Sequence, residues 1–372
     1  MRLTRLILEQ FRSYDALDIS FPQAGSDVHV LVGENAAGKT NILEAISLLA
    51  LTKSCHGIDD EDLIRWGSGH YRITGEMQGA DQAAQRLEVA CQIAPRRRKA
   101  CFRNDVALPI SDVVGLLPTV LFLPQDLSLF SGPPQRRRQF LDQLLCQVSP
   151  QYLTALSQYA RTLKQRNSLL KEIAQRRADP AVLDLWDGQL ALAGAEVTLQ
   201  RLELIEVLQC TLAEELTALG ETWQEVHLSY ERKGEARTPA DLTVELTDLL
   251  RRQRDRDVLL QATTVGPHRD DWKLLADGRS LPSFASRGQQ RAAVLALVFL
   301  QVSYLELRRG ERPLLLLDDV FSELDTAHQE ALLQSVSEHQ VFITSTHVPD
   351  QLHGAQLLSV QEGMVERMST VA

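Results

Sequence analysis

Three groups of residues have the types and spacing that phosphoryl chemistry requires. The first is Gly33-Glu34-Asn35-Ala36-Ala37-Gly38-Lys39-Thr40, which fits the pattern G-x-x-x-x-G-K-[ST]. Its glycines let successive backbone N–H groups curl round a phosphate, at a helix start whose dipole favours an anion. Lys39 would reach the outer phosphates of a nucleotide and the Thr40 hydroxyl would serve Mg²⁺. The second group is Asp318-Asp319, two carboxylates delivered at the end of an apolar run of four leucines. A buried carboxylate needs a partner, and beside a phosphate loop the partner expected is Mg²⁺ with its water. The third is Ser286-Arg287-Gly288-Gln289-Gln290 ahead of the apolar stretch 292–300, where a hydroxyl and backbone N–H groups would face an anion. Two further apolar runs end in polar residues, 116–123 before Gln125 and 341–346 before His347. Each of these smaller signals has a bland reading beside it, Ser286 as a helix cap and His347 as a structural imidazole.

Local patterns supply the elements that must carry these residues. Residues 28–32 read as a strand, and 41–49, with helical spacing, as the helix after the glycine loop. Residues 3–8 and 17–21 suggest a hairpin around positions 11–14, where Arg12 and Tyr14 either flank a nucleotide base or simply sit on the turn. The acidic stretch 59–67 reads as a helix start closed by Gly67. Short strands are expected from 71 to 102, broken by Arg96-Arg97-Arg98-Lys99, a solvated turn or a nucleic-acid contact. Residues 258–265 read as a strand and 266–271 as a turn, with 272–275 pairing back on it. There His268 and Arg269 would brace the hairpin.

A chain of 372 residues exceeds what one core usually serves, so two lobes are expected. No run of about 18 apolar residues is present, and the N-terminus lacks the apolar centre and cleavage site of a signal peptide. Five scattered cysteines, none in C-x-x-C spacing, read as reduced thiols of a cytosolic protein and imply no zinc site. The net charge of −10 argues against a protein that coats nucleic acid along its whole surface. The charge is uneven, however. From Gln135 to about Leu219 helical periodicity dominates, and between Arg136 and Arg177 there are nine basic residues against two acidic ones. That segment carries +7 and leaves −17 for the rest, so a helical arm holding Arg161, Lys164 and Arg166 is the place to expect DNA. A 25-residue helix reaches about 40 Å, which makes a short arm and no long coiled coil.

The order of glycine loop, serine-glycine signature, acidic strand, Ser322-x-x-Asp325 and strand-end His347 resembles the ATPase head of ABC and SMC-like proteins. Longer stretches resemble one family closely, the bacterial RecF recombination mediators. They are FRSY at 11–14, GENAAGKTNILEAI from Gly33, RRRQFLD at 136–142, YARTLKQRNSLLK at 159–171 and LWDGQLA at 185–191. TTVGPHRDD at 263–271, SRGQQRA at 286–292 and LLLDDVFSELD at 315–325 complete the set. The resemblance implies an α/β fold, an ABC-type P-loop ATPase head with an inserted, mainly helical second lobe. Residues 1–125 and 258–372 would form the head and 126–257 the arm. It implies ATP and Mg²⁺ as cofactors, with residues 33–40 on the nucleotide, Thr40 and Asp318 on the metal and Asp319 polarising the attacking water. His347 would sense the γ-phosphate, Gln125 would touch the ion and the water, and Ser286 with Gly288 would act across an ATP-dependent homodimer. Two departures from the ABC and SMC-like pattern stand out: Asp319 where most members of that class have Glu, which fits slow hydrolysis, and Arg287 where the signature has its first glycine. Cys55-His56 also replaces an expected aromatic-basic pair.

The function implied is a cytoplasmic, DNA-stimulated ATPase that loads at gapped or single-stranded DNA. There it would work with RecO and RecR to place RecA in repair, replication restart and SOS induction. An ATP-switched DNA scaffold without catalysis is the alternative reading. A transporter ATPase subunit is disfavoured by the length of the insert.

Overall fold

The computed structural model describes residues 1–22, 26–79, 83–348, 352 and 354–368. The chain forms two compact units, Met1–Leu127 with Arg291–Ala372, and Ser128–Gln290. The first opens with an antiparallel hairpin, β1 (Arg2–Phe11) and β2 (Tyr14–Ser20), then β3 (Val28–Val32) and α1 (Lys39–Leu51). Next come β4 (His70–Gln78), β5 (Ala84–Gln92), β6 (Arg98–Arg103) and β7 (Val106–Leu108), which extend the hairpin into a sheet ordered β2-β1-β4-β5-β6-β7. The short α2 (Ile110–Val113) leads to β8 (Thr119–Phe122). Residues 59–67, expected to begin a helix, form turns instead. Two of their four acids are spent on ion pairs, Asp60 with Lys99 and Glu61 with Arg97, which also engage part of the basic run at 96–99.

The second unit holds α3 (Pro134–Val148), α4 (Pro150–Ala174), α5 (Leu183–Ala218), β9 (Val226–Glu231) and α6 (Pro239–Arg252). It continues with α7 (Arg254–Leu260), β10 (Asp271–Ala276) and β11 (Arg279–Ser280). Ser149 caps α4 by accepting the Tyr152 N–H, and Pro150 occupies the first helical position, where its missing N–H costs nothing. Tyr159, Leu190, Leu246 and Val265 share one core of this unit. The strand expected at 258–265 is absent. Val258–Leu260 is the last turn of α7, a helix with Asp255 and Asp257 in its first turn, where the dipole favours acids. β10 pairs with β9, and Arg137 binds Asp271 at 2.7 Å while accepting the Trp272 indole N–H on its carbonyl. These bonds hold residues 258–290 in the second unit, which therefore runs beyond the expected boundary at 257.

α8 (Arg287–Arg309) passes from the second unit into the first, which resumes with β12 (Leu314–Leu317), α9 (Val320–Glu323) and α10 (Thr326–Ser335). α8 has the length and apolar composition of a membrane-crossing helix, but 67% of that stretch is buried inside the protein, as in a core helix. β13 (Val341–Ser345), β14 (Gln356–Gln361) and β15 (Met364–Arg367) close the chain. The resulting sheet, β15-β14-β3-β13-β12-β8, is parallel except at β15. Its central strands are near-continuous apolar runs, as strands covered on both faces must be. α1 covers it, with ten of its thirteen residues buried.

One expectation is overturned inside the second unit. Arg166, read as a DNA contact, is 0% exposed. Its guanidinium donates to Asp187 at 2.7 Å, Asp257 at 2.7 Å and Thr263 at 2.8 Å, joining α4, α5, α7 and the segment after it. A cation so enclosed is neutralised internally and offers nothing to a phosphate. Arg161 and Lys164, one face round the helix, are exposed. Removing one partner of a buried pair strands the other charge. Arg166→Ala should therefore lower unfolding free energy by about 3 to 5 kcal/mol in urea titration, whereas Arg161→Ala should stay within about 0.5 kcal/mol. An Arg166→Ala chain as stable as the parent would contradict this.

Candidate nucleotide-binding site

Parallel order brings the carboxyl ends of β3, β13, β12 and β8 side by side, where α/β sheets bind ligands. The glycine loop leaves β3, His347 follows β13, Asp318-Asp319 follow β12, and Gln125 follows β8. The loop glycines are sterically obligatory. A Cβ on Gly33 would lie 2.3 Å from the Val360 carbonyl oxygen, and Gly38 stands at φ 107° with a would-be Cβ 2.8 Å from the Tyr14 hydroxyl. Between them Ala36 also takes a left-handed conformation, at φ 66°.

The tip of the β1–β2 hairpin braces this loop. Tyr14 donates its hydroxyl to the Gly38 carbonyl at 3.1 Å, and Asn41 donates its side-chain amide to Ser13 Oγ at 2.9 Å. Arg12 Nε donates to Glu44 at 2.8 Å. Tyr14 is fully buried, and burial raises its phenol well above the ordinary value, so it remains a donor. Arg12 and Tyr14 thus hold α1 and the loop.

Lys39 folds across the loop and donates to the carbonyls of Gly33 at 2.7 Å and Glu34 at 2.8 Å. Burial lowers its ammonium pKa, while the nearby Asp319 and Asp318 charges raise it. Asp318 is 7% exposed, and its Oδ1 accepts from Thr40 Oγ1 at 2.8 Å and Thr344 Oγ1 at 2.7 Å. Thr344 Oγ1 in turn accepts the Asp319 N–H at 2.8 Å. Asp319 sits at φ 47°, a strained setting for a residue with a Cβ. Carboxylate and hydroxyl oxygens with no nitrogen or sulfur donor suit a hard ion such as Mg²⁺, and the Thr40–Asp318 bond shows two of those oxygens close enough to share one.

The remaining candidates are solvent-facing. Gln125 lies exposed on the single turn Pro124–Ser128, and His347 is exposed two residues beyond β13. Ser286 and Gly288, also exposed, belong to the second unit. Ser286 Oγ accepts the Gln289 N–H at 3.2 Å while Gln289 Oε1 accepts the Ser286 N–H at 3.1 Å, a reciprocal capping box at the head of α8. In the same unit His268 is a brace. Nε2 meets the Thr263 carbonyl at 3.0 Å, so it carries the proton, and Nδ1 accepts from Tyr159 at 2.6 Å. Burial lowers its pKa to about 4, keeping it neutral.

Thr344 is the site residue that the sequence does not announce. In a strand buried on both faces, alternation gives no hint of direction, and a lone threonine in Val341–Ser345 looks like an ordinary β-former. Only the register, Thr344 opposite Leu31 and one residue before the strand end, reveals it beside the acidic pair.

Known proteins resemble this chain along almost its whole length. Residues 2–367 match the family model for the RecF/RecN/SMC N-terminal domain. The DNA replication and repair protein RecF of Geobacillus thermodenitrificans is 36% identical over 374 residues, covering 98% of this chain and 99% of that protein. RecF of Heliobacterium modesticaldum is likewise 36% identical, over 99% of each. A solved structure of RecF with ATP, a recombination mediator protein of the RecFOR pathway, superposes at a TM-score of 0.90 with 30% identity, over 99% of this chain and 98% of that one. An Smc head bound to the C-terminal winged-helix domain of ScpA matches at 0.55 with 15% identity, over 99% and 97%, a likeness of fold alone. With its α/β SMC/RecF ATPase head, the chain belongs to the RecF family.

Proposed function

We propose that this chain is a recombination mediator in DNA replication and repair. In this reading it binds ATP, closes into a dimer on it at gapped or single-stranded DNA, and opens on slow hydrolysis. The observation that carries the reading is the convergence of Lys39, Thr40 and Asp318 at adjoining strand ends behind a loop whose two glycines cannot be replaced. By analogy with its relatives it would act in the cytoplasm with RecO and RecR to assist RecA.

In this reading the backbone of residues 33–40 holds the ATP phosphates, and Lys39 trades its two carbonyl partners for phosphate oxygens. Thr40 and Asp318 would hold Mg²⁺, which when bound neutralises phosphate charge. Asp319 orients the attacking water and accepts its proton, with His347 and Gln125 flanking from the neighbouring strand ends. Ser286 and Gly288 of a second copy complete the site, offering a hydroxyl and backbone N–H groups at the start of a 23-residue helix. Asp319 reaches less far than the Glu expected of the ABC and SMC-like class, which suits a switch more than a fast enzyme. DNA would contact the exposed face of α4 through Arg161, Lys164 and Lys171.

Lys39→Ala should lose ATP affinity at least about tenfold in equilibrium binding. Ser286→Ala should bind ATP normally yet remain monomeric with ATP in sedimentation. A normal ATP dimer from Ser286→Ala would remove that serine from the interface. Asp319→Asn should leave a long-lived ATP dimer with little phosphate release. Wild-type turnover in that variant would remove Asp319 from the chemistry, and absence of turnover in the wild type itself would favour the non-hydrolysing scaffold. Changing Arg161 and Lys164 to Gln should lower the salt slope of DNA binding by about 0.9 per lost phosphate contact, and an unaltered slope would place the DNA elsewhere.

A further inference from the structure

Directly after α1 the chain reads Thr52-Lys53-Ser54-Cys55-His56-Gly57. Thr52 and Gly57 both take left-handed conformations, at φ 56° and 71°, and the segment turns tightly between them. Ser54 closes the turn. Its carbonyl accepts the Gly57 N–H at 3.2 Å, and its hydroxyl accepts the His56 N–H at 3.1 Å while donating to the Glu44 carboxylate. This stapling sets one ligand atom each of Glu44, Cys55 and His56 within 4.8 Å of one another, the one such trio among the described residues.

Two further observations point to a ligand. His56 Nε2 is buried with no hydrogen-bond partner, a costly state for an imidazole nitrogen. Glu44, 1% exposed, is already oriented by Arg12, whose Nε and Nη2 lie 2.8 and 3.2 Å from its two oxygens. Oε1 takes both Arg12 and Ser54, whereas Oε2 takes Arg12 alone and keeps a lone pair. Metal-bound carboxylates are commonly held in this way by outer hydrogen bonds. A thiolate sulfur, an imidazole nitrogen and a carboxylate oxygen are the donors of zinc sites, with the fourth position left to water. Mg²⁺ and Ca²⁺, which take oxygen, do not suit the trio. Burial pushes the Cys55 thiol up to about 12, the opposite of a reactive nucleophile.

We propose that Glu44, Cys55 and His56 form a second cation site, beside the Thr40–Asp318 pair and different from it in its donors, that takes Zn²⁺ or a similar borderline-soft divalent ion. On binding, the Cys55 thiol releases its proton to solvent as the sulfur–metal bond forms. The ion pins the turn at 54–57 to α1, the helix that begins with the phosphate loop, and stabilises the folded chain by preferential binding.

Metal-stripped full-length protein, free of nucleotide, is titrated with Co²⁺ and then Zn²⁺. The expected result is one equivalent of Co²⁺ giving a near-ultraviolet thiolate-to-cobalt band with visible ligand-field absorption, both bleached by Zn²⁺. Cys55→Ser should abolish the thiolate band, and His56→Gln should weaken Zn²⁺ binding by about tenfold or more. Changing the exposed Cys210 to Ser should alter neither. Co²⁺ held at Thr40 and Asp318 has oxygen ligands only and gives no such band. A wild-type chain without the band, or a band that survives in Cys55→Ser, overturns the site.

Discussion

A carboxylate that is almost wholly buried at the end of an all-leucine strand must be given partners, because an unpaired charge there costs several kcal/mol. Asp318 receives two hydroxyls, Thr40 and Thr344, with the Lys39 ammonium close by. The arrangement is satisfied in hydrogen bonds but incompletely neutralised, which is the electrostatic condition under which a divalent ion adds most. Meeting it requires the exits of β3, β12 and β13 to lie side by side, and the parallel pairing Thr344–Leu31 and Leu317–Ile343 sets that register. The hairpin clamp of Tyr14 and Arg12, the two sterically enforced glycines and the burial of α1 all serve to keep Thr40 where Asp318 needs it.

Most of that frame was legible from residue types. The glycine loop, Lys39, Thr40 and the acidic pair carry their chemistry in their spacing, and the strands that deliver them are apolar enough to be read as buried. What stayed hidden depended on long-range register. Thr344 is opposite Leu31 only because β13 lies between β3 and β12. Val258–Leu260 looked like a strand because a short apolar run does not distinguish strand from helix, and Asp255 and Asp257, the dipole-favoured residues before it, were the discriminating signal. Arg12 and Tyr14 read either as groups flanking a base or as turn residues, because their partners, Glu44 and Gly38, lie more than twenty residues away in sequence.

The misreading of Arg166 has a different origin. Net charge summed over a segment counts every cation as solvent-facing. Periodicity is the better guide. Tyr159, Thr162, Arg166, Leu170 and Ile173 recur at helical spacing and are all buried, whereas Arg161, Lys164 and Lys171 fall on the opposite side of α4. Arg137, spent on Asp271, further reduces the charge available outside. The basic surface of the second unit is smaller than the composition suggests, and on α4 it lies on the side that carries Arg161, Lys164 and Lys171.

The proposed ATP site is composite: residues 33–40 and Asp318 of one copy meet Ser286 of another. Complementation tests that division of labour directly. Lys39→Ala and Ser286→Ala chains, each monomeric with ATP when alone, are mixed in equal amounts and followed by sedimentation with ATP and Mg²⁺. Every mixed pair would hold one intact site, built from the loop of the second variant and the serine of the first. The expected result is recovery of an ATP-dependent dimer in the mixture. A mixture that stays monomeric, while the wild-type chain dimerises under the same conditions, would contradict a site shared between two copies.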